Sequence, residues 1–139
     1  MTKERLRQYR ELKKEKDELE TRLEEFEATM YDPRGAKYEE TIRAQGKNDS
    51  IVERLTAQHA ALENLYKSKL AELNALLLEI ETAVESLTDS TERRVVCLHY
   101  IDGMKWEAVA VAIGYEWAQT HRIHARALAK LRTLEEVEA

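Results

Sequence analysis

The sequence predicts an all-α protein: a long, coiled-coil-like helical stem followed by a C-terminal helix-turn-helix domain. Three observations carry that expectation. The 139 residues include only 4 Gly and 1 Pro, too few for a β-sandwich or barrel, which turns about every 8–12 residues. Leu, Glu, Lys and Arg, all strong helix formers, are abundant. Apolar residues recur at alternating spacings of three and four along most of the first 87 positions, the signature of helices packed along a seam. A doubly wound α/β fold is disfavoured too, because the chain carries no Gly-rich phosphate loop.

The first predicted helix covers Lys3–Met30. Tyr9, Leu12, Lys16, Leu19, Leu23, Phe26 and Met30 make a heptad seam with one Lys in it. At 1.5 Å per residue such a helix is about 42 Å long. Its other faces are almost wholly charged, so its stripe needs a second helix, from this chain or from another copy. Residues 31–49 break the pattern with Pro33, Gly35 and Gly46. Asp32-Pro33 reads as a turn. A loop is expected there, with room for a short helix at residues 37–44.

Asp49 or Ser50 is placed to cap a second helix, and Glu53 completes a capping box with Ser50. The helix is expected to run to about Ser86. Its seam is Val52, Leu55, His59, Leu62, Tyr66, Lys69, Leu73, Leu76, Ile80, Ala83 and Leu87, flanked by Leu70, Leu77 and Val84. The stripe widens toward its C-terminal half, and a wide stripe packs against more than one helix. His59 and Lys69 read as polar residues that set register. Residues 1–86 are therefore expected to form a stem that self-associates into a homo-oligomer, a dimer or larger, with a core separate from that of the domain after it.

Residues 87–139 change character. Helices are expected at 90–100, 106–113 and 117–134, punctuated by Gly103 and Gly114. A helix of about eight residues, the turn Gly114-Tyr115-Glu116 and a longer helix make a helix-turn-helix pattern. Ala110 is small enough for close helix approach, and Gly114 suits a positive φ. Val109, Ile113, Ile123 and Leu131 are spaced to anchor the pair. Val95, Val96 and Leu98 would form a lid, and Trp106 would join the same core.

Charge narrows the function. A formal net charge of −5 argues against wrapping polyanions with the whole surface. Yet residues 117–134 contain Arg122, Arg126, Lys130 and Arg132 and no acidic residue. That segregation suits DNA contact, and His121 and His124 would add charge near phosphate. The N-terminal MTKERLRQYR lacks the apolar stretch of a secretory leader. No apolar run approaches the roughly 20 residues that span a bilayer, so no membrane association is expected. A single cysteine, Cys97, forms no internal disulfide, which fits a cytoplasmic protein. Cys97 and His99 point about 200° apart on a helix and do not chelate together. No metal, no cofactor and no catalytic constellation is expected, so the chain does not read as an enzyme.

The segments Thr91-Glu92-Arg93-Arg94-Val95-Val96-Cys97-Leu98-His99-Tyr100-Ile101-Asp102-Gly103, Trp106-Glu107-Ala108-Val109-Ala110-Val111-Ala112-Ile113-Gly114-Tyr115 and Arg122-Ile123-His124-Ala125-Arg126-Ala127-Leu128-Ala129-Lys130-Leu131 resemble region 4 of bacterial sigma factors. More closely, they resemble the sigma-region-4-like phage transcriptional regulators of the ArpU type, over about residues 87–134. The resemblance implies a DNA-binding transcriptional regulator of phage or prophage genes. It would serve late-gene activation in the bacterial cytoplasm, acting on double-stranded DNA with host RNA polymerase. In that family the start of the last helix reads promoter bases, at positions matching Trp117, Ala118, His121 and Arg122. Arg126 and Lys130 match residues that hold phosphates. The alternative is an interaction protein of the same fold that binds polymerase, or another phage or host protein, rather than DNA. Lys105 and Glu116 stand where the family has capping Ser or Thr, and neither is expected to cap.

Overall fold

The computed structural model describes residues 1–30 and 48–138, and helices are the only regular structure among them. They are α1 (Lys3–Met30), α2 (Asn48–Glu85), α3 (Ser90–Val96), α4 (Trp106–Ile113) and α5 (Trp117–Glu138). A π-helical turn, Cys97–Ile101, continues α3. The all-α expectation, with a helical stem and C-terminal helices, holds. The short helix expected at 37–44 and almost all of the expected loop lie outside the described residues.

Three boundaries differ from the sequence reading. Ser50 lies inside α2 and does not cap it. The helix expected at 90–100 widens at Cys97, where the Asp102 N–H donates to the Cys97 carbonyl at 2.9 Å. Its start is capped by Asp89, whose carboxylate accepts from the backbone of Thr91 at 2.8 Å and Glu92 at 3.4 Å. The last helix runs on to Glu138, since the Glu-rich stretch after Leu134 contains no breaker.

The chain divides into two compact units, one of Lys14–Ala71 and one of Met1–Lys13 with Glu72–Ala139. In the first, residues 14–30 of α1 and 48–71 of α2 run antiparallel. His59 Nε2 meets Glu27 Oε1 at 2.9 Å, the His59 ring stacks on Phe26, and Lys69 Nζ donates to Glu15 at 2.9 Å. Each polar seam position on α2 is thus answered by a carboxylate on α1, which fixes the register of the pair. Lys16 is held within α1 by Asp17 and Glu20; the Asp17 hydrogen bond raises its pKa. Leu19, Leu23, Leu55, Leu62 and Tyr66 are half-buried, and none of the described residues of this unit is fully buried. Two helices cover one side of each stripe and leave the rest in water.

The other unit contains the main core. Leu6, Tyr9 and Leu12 of α1 pack with Leu73, Leu76, Ile80 and Val84 of α2, and with Leu87, Val96, Tyr100, Ala127 and Leu131. Burying each of the larger side chains contributes about 1.5–3 kcal/mol. Arg5 pins the two helices at the surface through Nε and Nη2 on Glu79 Oε2, at 3.2 and 2.9 Å. The expectation of separate cores for stem and C-terminal domain is therefore corrected. The widened stripe of α2, with Val84 buried and Leu77 partly so, receives α3, the π turn and α5. A second, smaller cluster joins Val95, Val109 and Ile123 to Leu98, Met104, Trp106 and Ile113. This is the anchoring set read from the sequence with Met104 added, except that Leu131 and Val96 belong to the larger core.

Candidate nucleic-acid interface

The turn between α4 and α5 is built by its glycine. Gly114 has φ 75° and ψ 29°, a left-handed conformation that costs a side-chain-bearing residue roughly 1–2 kcal/mol. The N–H of Tyr115 donates to the Ala110 carbonyl at 3.1 Å and that of Gly114 to Val111 at 3.3 Å. This Schellman arrangement ends α4 and satisfies its last carbonyls. Lys105 occupies the N-cap of α4 and makes no side-chain capping bond. At the other side of the turn, Thr120 is fully buried, and both its N–H and its Oγ1 donate to the Glu116 carbonyl at 2.9 Å. Thr120 locks the first turn of α5, a role the sequence reading missed.

The faces of α5 are sharply divided. Thr120, Ile123, Ala127 and Leu131 are buried. Ala118, Arg122, Ala125, Ala129 and Arg132 are exposed and follow one another at spacings of three and four, with Arg126 exposed beside them. Methyl groups between the arginines leave the helix backbone accessible to a bulky ligand. Arg122 Nη1 touches Gln119 Oε1 at 3.3 Å on the same exposed surface. Trp117, at the start of the helix, is 59% exposed, and Val111 on α4 and Tyr115 in the turn are exposed too.

Four of the six residues read as DNA contacts are therefore exposed: Trp117, Ala118, Arg122 and Arg126. The other two have tertiary partners. Lys130 Nζ donates to both carboxylate oxygens of Glu92 at 2.9 Å, and Glu92 is 1% exposed. A phosphate would have to compete with that buried carboxylate. His121 is half-buried between two indoles, its ring 4.8 Å from Trp106 and 4.1 Å from Trp117. Its Nε2 is buried, with no hydrogen-bond partner among the described residues.

Three of the four histidines surround Trp106. His99 stacks on it at 3.8 Å and 19°, and His124 lies 4.4 Å away. The Met104 carbonyl only accepts, so His99 Nδ1 carries the proton donated to it at 2.8 Å. That leaves His99 Nε2 to accept from Arg10 at 3.4 Å. His124 Nε2 pairs with the Tyr100 hydroxyl at 2.8 Å. Burial lowers the pKa of His99. Burial, then the proximity of His99, Lys3 and His121, lowers that of His124 to about 4. The expectation that His124 adds positive charge near phosphate is corrected: it is neutral at neutral pH and belongs to the core. Burial likewise raises the Cys97 thiol, with Asp102 adding to the effect, which keeps it from the reactive thiolate form. No three His, Cys, Asp or Glu side chains among the described residues are placed to hold a metal ion. No helix among the described residues is long and apolar enough to cross a membrane.

Compared with known proteins, the chain matches no family model, no curated protein and no solved structure.

Proposed function

We propose that the protein is a DNA-binding transcriptional regulator of phage or prophage genes, with α5 as its recognition helix and host RNA polymerase as its working partner. One observation carries the reading. The outward face of α5 presents Arg122, Arg126 and Arg132 among small alanines, and residues 117–134 contain no acidic side chain. A helix about 10–12 Å across fits the B-DNA major groove, which is about 12 Å wide. The buried Thr120 and the Gly114 turn hold such a helix rigidly against α4. In this reading Trp117, Ala118 and Arg122 approach base edges and Arg126 meets the backbone. Arg122 would discriminate through guanine acceptors, and Ala118 through a thymine methyl group. The half-buried seam of residues 14–30 and 48–71 calls for a further helix, and a second copy of the chain supplies it. A dimer doubles the phosphate contacts and matches a two-half-site operator. Fluorescence anisotropy with duplexes from the neighbouring genome, over a range of salt, tests the reading directly. Binding with a steep salt dependence supports it.

A second reading has its own support. Val111 is 83% exposed, and Tyr115 and Trp117 are exposed too; apolar side chains left in water suit protein partners. In this alternative the domain binds polymerase or another phage or host protein rather than DNA. Pull-down of purified polymerase together with a null result in the DNA titration would favour it.

A further inference from the structure

The charge on α1 is sorted by face. Lys3, Arg7 and Arg10 are spaced by four and three and share one side of the helix, while Glu4 and Glu11 share another. The basic side lies next to the recognition helix. Lys3 and Arg132 line one hollow of about 410 Å³ with Ala125, Leu128 and Ala129, and Glu4 lines it as well. Two turns along, Arg10 reaches His99 at 3.4 Å in the same unit. Lys3 and Arg7 themselves are exposed. Ala125 and Ala129 belong to the outward face of α5, so the basic side of α1 continues that face laterally.

We infer that the first turns of α1 form a second phosphate-binding element, with Lys3 and Arg7 gripping the DNA backbone beside the groove that α5 enters. This rests on the DNA-binding reading above and extends it from one helix to two. The ligand is a duplex rather than a small anion, because Lys3, Arg7 and Arg132 present separated charges along a surface and build no enclosed pocket. Contacts of this kind fix register and carry no sequence information. They also account for a stem helix that is basic at its start and acidic farther along, in a chain that is acidic overall.

The test compares the full chain with Lys3→Gln/Arg7→Gln, Arg7→Lys, Glu4→Gln and Arg126→Ala, using a random-sequence duplex and the preferred duplex in a salt titration. Each lost phosphate contact lowers the slope of log K against log salt by about 0.9. The double variant should lose about two units of slope and bind both duplexes more weakly by on the order of 50-fold near 0.1 M salt, with base preference intact. Arg7→Lys should retain the wild-type slope, and Glu4→Gln should bind more tightly. Circular dichroism and Tm should not move, since these side chains are exposed. If Arg126→Ala lowers the slope but the double variant does not, α1 takes no part and the inference falls while the α5 reading stands. If the wild-type chain binds neither duplex, both fall.

Discussion

Lys130 of α5 reaches inward to Glu92, unlike the exposed Arg122 and Arg126 of the same helix. The ammonium lies 2.9 Å from each oxygen of a carboxylate that is 1% exposed. The pair ties α5 to α3 across 38 residues of sequence. Lys130→Ala strands that carboxylate in the interior. Because the lysine side chain is itself half exposed, the loss is set at about 1–3 kcal/mol, below the range for a fully buried pair. Urea unfolding of Lys130→Ala, Glu92→Gln and the double variant Glu92→Gln/Lys130→Met measures it. The double variant should be more stable than Lys130→Ala, since no charge is left unpaired. Equal stability of Lys130→Ala and wild type would show that the pair contributes nothing.

Acid should loosen the histidine-tryptophan cluster before it affects the arginines. The folded-state pKa of His124 is lowered to about 4, below its ordinary value near 6.5. The unfolded chain therefore takes up a proton that the folded chain refuses. Stability is complete above about pH 6.5 and falls as pH drops toward 4, then levels off for this group. The loss from His124 is on the order of 3 kcal/mol, and His99, shifted the same way by burial, adds to it. Denaturant titrations at pH 7 and pH 4.5, read by tryptophan fluorescence, should separate strongly for wild type and less for His124→Gln. An equal drop in both proteins would place the acid sensitivity elsewhere.

The uncapped start of α4 is a correctable weakness. Lys105 has extended backbone angles, φ −68° and ψ 154°, and no capping side-chain bond. Lys105→Ser offers a hydroxyl to the free N–H groups and should stabilise the protein by about 1 kcal/mol. A rise in Tm is expected. An unchanged or lower Tm would mean that those N–H groups are already satisfied or that the lysine stem packs usefully.

Self-association is best tested on the hairpin of residues 14–30 and 48–71. Leu73 and Leu76 lie in the core shared with α5, so acidic substitutions there would unfold the C-terminal helices as well. Leu65 is 58% exposed, and Leu65→Lys costs the folded chain little. Light scattering should give a dimer or larger for wild type and a smaller species for Leu65→Lys. A wild-type mass near that of one chain at micromolar concentration would contradict the oligomer.

The helices were legible because their signals are local. Leu spacing gave α1, the run from Val52 to Leu87 gave α2, and Gly114 between two apolar repeats gave the turn between α4 and α5. The widening of the α2 stripe announced a second packing partner but not its identity, since a seven-residue spacing does not say which helix covers it. The exposed part of the candidate face, Trp117, Ala118, Arg122 and Arg126, was legible. His121 and Lys130 were not, because their partners Trp106 and Glu92 sit on other helices and periodicity says nothing about charge or ring pairing across the fold. The π turn at Cys97 left no signal either: the segment from Val95 to Ile101 continues a good helical pattern.

The central claim, that the outward face of α5 binds duplex DNA, is tested most directly by anisotropy titrations of wild type, Arg122→Ala and Arg126→Ala at several salt concentrations. Arg122→Ala should weaken the preferred duplex by about 1–3 kcal/mol and relax base preference, leaving random duplex much less affected. Arg126→Ala should weaken every duplex alike and lower the salt slope by about one unit. Wild-type protein that binds no duplex at low salt, or variants that bind as tightly as wild type, would contradict the claim.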